Sequence, residues 1–434
     1  MAKINNAYYK SKKLISHRTG LLHHIVKLPR LNYDPRLISF GIWSCDTLQL
    51  DGEKFGGRSS GCSYDLYNSF MGTLGETVER YCPAFYQKDK MMKSSYISLS
   101  ENAVTPSEFA LFHPKQHEYF KEKNFNMHPF DEKIELYWDK CVDITTGNDV
   151  YCPAAFIYLP WTIEEKWITV GTSTGLAAHT NWHKALLTAL FEIIERDSFV
   201  ITWYQKIVSS KIIIGQDIRE YIDGRFPASY EWHFFDITYD LGIPTVFGIC
   251  YGTSEYGDFV AVGTATRGTM ADALKKVILE IGQGVGYFRY LLGEKKDWVP
   301  SDNFNEILNF EDHSIFYIKR PDLISVLDIW RKAKPSLNID FNEKSTKSTA
   351  DYIEDIITVL NKKNYNVLVK DITTPDVNQA GFYCLRVVTP QLLQMGGAYP
   401  FYFLGGKRLY EVPEKMGYTS HSYSELNEFP HPFP

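Results

Sequence analysis

The pattern Glu-x-x-Glu-Arg occurs twice in this chain, as Glu76, Glu79 and Arg80 in "LGETVERY" and as Glu192, Glu195 and Arg196 in "FEIIERD". Positions i, i+3 and i+4 share one face of an α-helix, so each copy projects two carboxylates and one guanidinium together. The second copy sits in a run, Ala185 to Val200, that is apolar nearly all round, as expected of a buried helix. Burying an uncompensated carboxylate costs on the order of several kcal/mol, and neighbouring like charges raise each other's pKa. One arginine per motif cannot neutralise two carboxylates, so a fold that buries both helices calls for additional positive charge beside them.

The arrangement recurs along the chain. Three segments run from a Gly/Ser/Thr-rich loop into a helix-period stretch that carries glutamate. In "FGGRSSGCSYDLYNSFMGTLGETVERY" the apolar residues Leu66, Phe70, Met71, Leu74 and Val78 are spaced by threes and fours. In the second segment "WITV" reads as a strand entering the loop Gly171 to Gly175, ahead of a helix starting near Asn181. In the third, "DFVAVGTATRGTMADALKKVILEIGQ" reads as a strand, a loop from Gly263 to Gly268, and a helix bearing Glu280 and Gln283. "VGTSTG" and "VGTATRG" are near copies. Alternating strands and helices predict an α/β or α+β fold built from repeated strand, loop and helix units. The 434 residues suit roughly two or three average domains, or one large domain with an internal duplication. Residues 295–350 turn polar and charged, which suits a peripheral insertion, and "ADYIEDIITVLNKKNYNVLVKDI" reads as helix, turn and strand.

Glutamates from three helices aimed at one cavity suit Mg²⁺, a hard cation that takes oxygen ligands and keeps water and phosphate oxygens as the remainder. Arg80 and Arg196 would contact phosphate by bidentate hydrogen bonds, and the loops would offer backbone N–H donors. The composite expectation is a Mg-nucleotide site. A single Glu-x-x-Glu-Arg helix reads equally well as a solvated face with an internal ion pair; the recurrence favours the site. Neither G-x-x-x-x-G-K-[ST] nor G-x-G-x-x-G is present, so such a nucleotide site would be of an unusual kind. No Ser/His/Asp arrangement is apparent, and His179 and His183 read as surface positions at a helix start.

A net charge of -6 with scattered Lys and Arg excludes the extended basic footprint that nucleic acid or an anionic membrane requires. No stretch approaches the ~18 apolar residues of a membrane span, and "MAKINNAYYKSKK" has no apolar segment of signal type; a cytoplasmic protein is expected. The 7 cysteines are widely spaced and include no C-x-x-C pair, which predicts reduced, structural thiols.

Taken in order, "LGETVERY", "TSTGLAAHTNWHKALLTALFEIIERD" and "RGTMADALKKVILEIGQ" resemble the YcaO-domain family, which binds ATP through glutamate-rich helices. The resemblance is strong over residues 55 to 290 and extends through "DITTPDVNQAGFYCLRVVTP" to the C-terminus. It implies a YcaO-type fold around an ATP and Mg²⁺ cavity, with Glu76, Glu79, Glu192, Glu195 and Glu280 as ligands of Mg²⁺ or ATP. Arg80 and Arg196 would contact phosphate or hold the glutamates, and Lys276 and Gln283 would complete the nucleotide site. Where the family often shows Asn-Thr and Glu-Ala, this chain has Thr180-Asn181 and Lys184-Ala185. The implied division is an N-terminal extension (1–54), an ATP-binding catalytic domain (55–424), and a Pro-rich tail (425–434) that enters the active site.

In that tail, "EFPHPFP", Pro430, Pro432 and Pro434 alternate with His431 and Phe433, which forbids helix and favours an extended, polyproline-like chain. The P-x-P-x-P ending looks like that of the azoline-forming cyclodehydratases, in which the terminal carboxylate, here that of Pro434, would serve as a base. The implied reaction closes Cys, Ser or Thr of a ribosomal precursor peptide onto the preceding carbonyl, with ATP phosphorylating the amide oxygen, to give thiazoline or oxazoline. The implied partners are the precursor peptide, a separate E1-like leader-binding protein and a flavin-dependent azoline dehydrogenase; a homodimer is compatible with the size. Other YcaO chemistry, namely peptide thioamide or amidine formation, and a non-catalytic ATP-binding subunit stand as alternatives.

Overall fold

A computed structural model describes residues 8–32, 34–54, 57–99, 102–254 and 257–433. Strands β1 (Leu22–Lys27), β2 (Ile38–Ser44) and β3 (Arg58–Ser63) form an antiparallel sheet in that order. Helix α1 (Leu66–Tyr81) lies across one of its faces. The approach is close: a Cβ added at Gly61 would come within 2.6 Å of the Thr73 backbone nitrogen, and the Ser69 hydroxyl donates to the carbonyls of Ile38 (2.7 Å) and Gly61 (3.2 Å). Two strands from the first 54 residues, β1 and β2, therefore share a sheet with β3.

A second sheet runs β4 (Met92–Ser94), β5 (Leu136–Asp143), β13 (Leu368–Asp371), β14 (Tyr383–Val388) and β7 (Leu176–His179), with β6 (Asn148–Pro153) paired to β5. A third runs β11 (Gly257–Thr266), β10 (Thr245–Ser254), β9 (Glu231–Asp236), β8 (Lys211–Ile212) and β12 (Pro335–Leu337). Pairing is antiparallel except between β8 and β12. The fold is thus a mixed α/β one of the α+β kind.

Helix α2 (Trp182–Tyr204) ties the two larger sheets together. Its first half packs Ala185, Ala189 and Ile193 with Leu385 and Val387 of β14, while its second half packs Phe199 and Trp203 with Phe247 and Ile249 of β10. The alternate β10 residues, Val246 and Cys250, face the other way onto Leu274, Val277 and Ile278 of helix α3 (Met270–Glu294), the period of two expected of a strand buried on both faces. Each helix starts at a residue whose side chain accepts from a first-turn N–H: Asp65 from Asn68, Asn181 from Lys184 and Thr269 from Asp272.

Several sequence expectations are corrected. Trp167–Val170 is not a strand; Trp167 makes one isolated bridge to Met127, and the strand follows the Gly171–Gly175 loop as β7. The Ser/Gly-rich stretch at 58–63 is strand β3, not loop. The loop expected from Gly263 to Gly268 is strand as far as Thr266: a Cβ at Gly263 would lie 3.2 Å from the Val277 carbonyl, so this glycine serves close helix packing and not a turn. Residues 295–350 are not peripheral throughout. Helix α4 (Phe310–Lys319) buries His313, Ile315, Phe316 and Tyr317, its Asp312 is neutralised by Lys295, and β12 joins the third sheet. The helix, turn and strand expected at 349–371 are present as α5 (Thr349–Lys362) and β13. All 7 cysteines are free thiols. Among the described residues no helix is long and apolar enough to cross a membrane.

Candidate active site

Helices α1, α2 and α3 converge on one cavity of about 940 Å³. Its lining includes Glu76, Glu79 and Arg80 from α1, Glu192, Glu195 and Arg196 from α2, and Lys276, Glu280 and Gln283 from α3. Each helix presents them for the local reason seen in its sequence. The apolar residues three and four apart are taken up by the core, with Leu74 and Val78 in α1 and Val277 and Ile281 in α3 fully buried, which turns the adjoining strip toward the cavity.

Every carboxylate has a partner. Glu76 pairs with Arg80 at 3.1 Å, Glu192 with Arg196 at 3.6 Å, and Glu280 with Lys276 at 3.2 Å. Three of the five also anchor neighbouring backbone. Glu79 accepts from Ala178 N at 2.9 Å, Glu192 from Gly175 N at 3.0 Å, and Glu195 from the Thr264 hydroxyl at 3.2 Å and Thr266 N at 3.3 Å. The carboxylates therefore fix β7, its preceding loop and the end of β11.

Compensation is incomplete. Burial first, and then Glu76, raises the Glu79 carboxyl well above the usual carboxylate range; burial raises Glu192; burial and Glu280 push Glu195 up to about 8. Arg80 is held above its ordinary value by Glu76. All five carboxylates line the cavity, yet among the described residues no three His, Cys, Asp or Glu side chains gather closely enough to hold a metal ion as they stand. Arginine, lysine and backbone partners hold them apart. The donor set nonetheless fits Mg²⁺, which is commonly bound through one or two carboxylates with water and phosphate oxygens completing the shell. A cation beside them would relieve the same repulsion that raises Glu79 and Glu195. The buried Nε of Arg196 makes no hydrogen bond and lies 3.9 Å from Glu195 Oε1.

Some lining residues carry no signal within the two motifs. Arg267 and Asn309 line the cavity. Arg386 lies behind it, fully buried, donating to the carbonyls of Phe156 at 2.6 Å and Thr172 at 2.9 Å; burial lowers it to about 10 while Glu192 opposes the shift. Its trace in the sequence is a lone arginine inside the apolar run "YCLRVV". His179 and His183 do not line the cavity.

The C-terminal tail is irregular and largely buried. Trp203 and Tyr317 donate to the carbonyls of Phe429 (3.0 Å) and Pro430 (2.8 Å), and His313 Nδ1 meets the His431 carbonyl at 2.7 Å. The His313 and His431 rings stack at 3.8 Å and 7°. Phe433 lines the cavity, 4.2 Å from the Arg196 guanidinium. Pro434 lies outside the described residues.

The family model for YcaO cyclodehydratases, ATP- and Mg²⁺-binding, matches residues 60–393. No curated protein matches the sequence. Among solved structures, a heterocyclase in complex with substrate and cofactor superposes with a TM-score of 0.75 at 21% identity, covering 99% of this chain and 57% of that one. This chain thus spans little more than half that heterocyclase's length. YcaO from Methanopyrus kandleri bound with AMPPCP and Mg²⁺ gives 0.63 at 15%, covering 99% and 96%. A chain of the E. coli microcin synthetase McbBCD complex with pro-MccB17 bound gives 0.53 at 14%, covering 88% and 92%. At these identities the likeness is one of fold.

Proposed function

This chain belongs to the YcaO cyclodehydratase family, and from that premise we propose that it is the Mg-ATP-dependent cyclodehydratase that converts Cys, Ser or Thr of a ribosomal precursor peptide into thiazoline or oxazoline. The observation that carries this reading is the convergence of nine charged or amide side chains from three helices, with Phe433 of the Pro-rich tail, on one cavity.

Glu76, Glu79, Glu192, Glu195 and Glu280 would hold Mg²⁺, and Arg80, Arg196, Lys276 and Gln283 would hold the nucleotide. When bound, Mg-ATP supplies the phosphoryl group that turns the former amide oxygen into a leaving group, which departs as phosphate. The chain's own residues do the rest. Arg80 and Arg196, each already held beside a carboxylate, would neutralise phosphate oxygens. Glu79, Glu192 and Glu195 keep β7 and β11 against the cavity. The carboxylate of Pro434, which follows Phe433 in the sequence, would act as the base. It would take the proton of the attacking thiol or hydroxyl as the side chain adds to the preceding carbonyl carbon; the amide N–H proton would then leave with the departing phosphate as the C–O bond breaks and C=N forms.

Partners follow from the same reading. The E. coli microcin synthetase relative acts in a named complex with pro-MccB17, which supports a precursor peptide and a separate leader-binding protein for this chain. A flavin-dependent dehydrogenase would act afterwards, on azoline.

The test is calorimetric titration of wild type and Glu195→Gln with ATP, with and without Mg²⁺, followed by mass spectrometry of a precursor peptide incubated with the protein and its leader-binding partner. Mg-dependent binding lost in the variant, and loss of one water per ring, support the reading. Equal binding in the folded variant overturns it; gain of sulfur in place of oxygen assigns the thioamide branch instead.

A further inference from the structure

The rest of the cavity lining is of another kind. In the register of the first sheet Val26 is opposite Gly41 and Trp43 is opposite Arg58, so these residues share the face turned away from α1. Val26 is 45% and Trp43 48% exposed, and both line the cavity. The second half of α3 contributes Gly284, Gly286 and the stacked rings of Tyr287 and Tyr290, whose centroids lie 5.4 Å apart.

Glycine is disfavoured inside a helix, so each one calls for a reason. Gly282 has one in the protein itself: an added Cβ would come within 2.6 Å of Leu37 and 3.0 Å of Phe226. Gly284 and Gly286 have none, since a Cβ at either position would meet nothing within 4 Å. Both line the cavity, on either flank of the helix strip that carries Gln283 and Tyr287, and each leaves room for something that approaches the backbone closely.

The charges on this wall are spent internally. Arg58 pairs with Glu294 at 2.8 Å and lies over the rings of Trp43 and Tyr290, and Arg289 pairs with Asp34 at 2.6 Å. Both arginines of this wall are thus paired within the protein. Ser59, which the register places with Ile42 on the α1 side of the sheet, also lines the cavity, and its buried hydroxyl has no hydrogen-bond partner. A volume of about 940 Å³ is near the top of the roughly 300–1,000 Å³ range of small-molecule sites, which leaves space beside a nucleotide.

We infer that this wall seats the acceptor polypeptide itself, an extended and uncharged stretch of precursor flanking the cyclising residue, with its backbone passing close to Gly286 and against the half-exposed ring of Trp43. This rests on the function proposed above. A half-exposed indole and close backbone approach suit a chain laid across an open wall, and the Ser59 hydroxyl offers it a hydrogen bond.

The test uses the full chain and two probes: Mg-ATP by calorimetry, and fluorescein-labelled Gly-Gly-Cys-Gly-Ser-Gly by anisotropy in the presence of a non-hydrolysable ATP analogue and Mg²⁺. Trp43→Ala removes a half-exposed ring, and Gly286→Leu places a side chain in open space, so both variants should fold. Expected is a loss of peptide affinity of roughly tenfold or more in each variant, with Mg-ATP affinity unchanged within about twofold. Peptide affinity equal to wild type, or no peptide binding by wild type while Mg-ATP binds, overturns the inference. A parallel loss of Mg-ATP affinity overturns it too, by assigning the wall to the nucleotide base. Failure of wild type to bind Mg-ATP would strike the proposed function instead, and the calorimetric arm reads that separately.

Discussion

The guanidinium of Arg196 lies 4.2 Å from the centroid of the Phe433 ring and 3.6 Å from the Glu192 carboxylate, so one side chain touches both the C-terminal tail and the carboxylate cavity. A cation over an aromatic face contributes about 0.5–2 kcal/mol, depending on how far the pair is desolvated. Deleting Phe433 and Pro434 is expected to leave Mg-ATP affinity within a few fold of wild type and to abolish cyclisation. Calorimetry alongside a ring-formation assay checks this, and a fully active truncation would remove the tail from the chemistry.

Glu195 is a buried carboxyl that the protein holds at a cost. Glu195→Gln keeps its volume and one acceptor oxygen, which can serve Thr266 N while the amide donates to the Thr264 hydroxyl, and it removes the charge. The expected outcome is loss of Mg-dependent ATP binding together with a ligand-free melting temperature at neutral pH equal to or above that of wild type. A variant that melts well below wild type would show that the carboxylate is needed for the fold.

The same group predicts a proton linkage. Glu195 is raised to about 8 in the fold, against roughly 4.3 for an unfolded glutamate. Between those values the unfolded chain has shed a proton that the folded chain retains, so this group's contribution to stability falls as pH rises through the window and levels off above 8. Metal requires the carboxylate form. Mg-ATP affinity should therefore climb from about pH 6 to about pH 8, by up to about tenfold per pH unit, with release of a proton on binding. Titration in buffers of different ionisation enthalpy reads that proton directly.

The His313 and His431 stack predicts that the tail loosens in acid. Burial lowers His431 to about 4 and holds His313 well below its ordinary value, and Arg196 also disfavours a charge on His431. Unseated, each would titrate near 6.5, so below that pH the released tail binds protons that the seated tail does not, and seating weakens as pH falls from about 6.5 toward 4. Hydrogen exchange over residues 427–433, corrected for intrinsic rates, should show more opening at about pH 5.5 than at about pH 7.5. His313→Phe, which keeps a ring in place, should reduce that difference.

What could be read early and what could not divides along particular residues. Helices α1, α2 and α3 are legible because apolar spacing is local, and Asp65, Asn181 and Thr269 stand at their starts. The strands are less so. Arg58–Ser63 is rich in Ser and Gly because α1 presses on Gly61, and Gly263 looks like a turn residue although α3 is what requires it. In both cases glycine answers to a neighbour distant in sequence. Helix α4 reads as polar, yet Asp312 and His313 are fully buried because Lys295 and the tail meet them.

The sequence by itself determined which side chains stand together on each helix, since the 3.6-residue period fixes Glu76 with Glu79 and Arg80, and Glu192 with Glu195 and Arg196, whatever surrounds them. It also carried the order of motifs that places the chain in its family. Only the tertiary structure decided that the three helices face a single cavity, that Glu79 and Glu195 are spent partly on holding β7 and β11, that Phe433 meets Arg196 more than two hundred residues away, and that Trp43 and the glycines of α3 line that same cavity. The physical reason is that periodicity reports the direction of a side chain relative to its own helix axis, whereas convergence depends on how sheets bury those helices against one another.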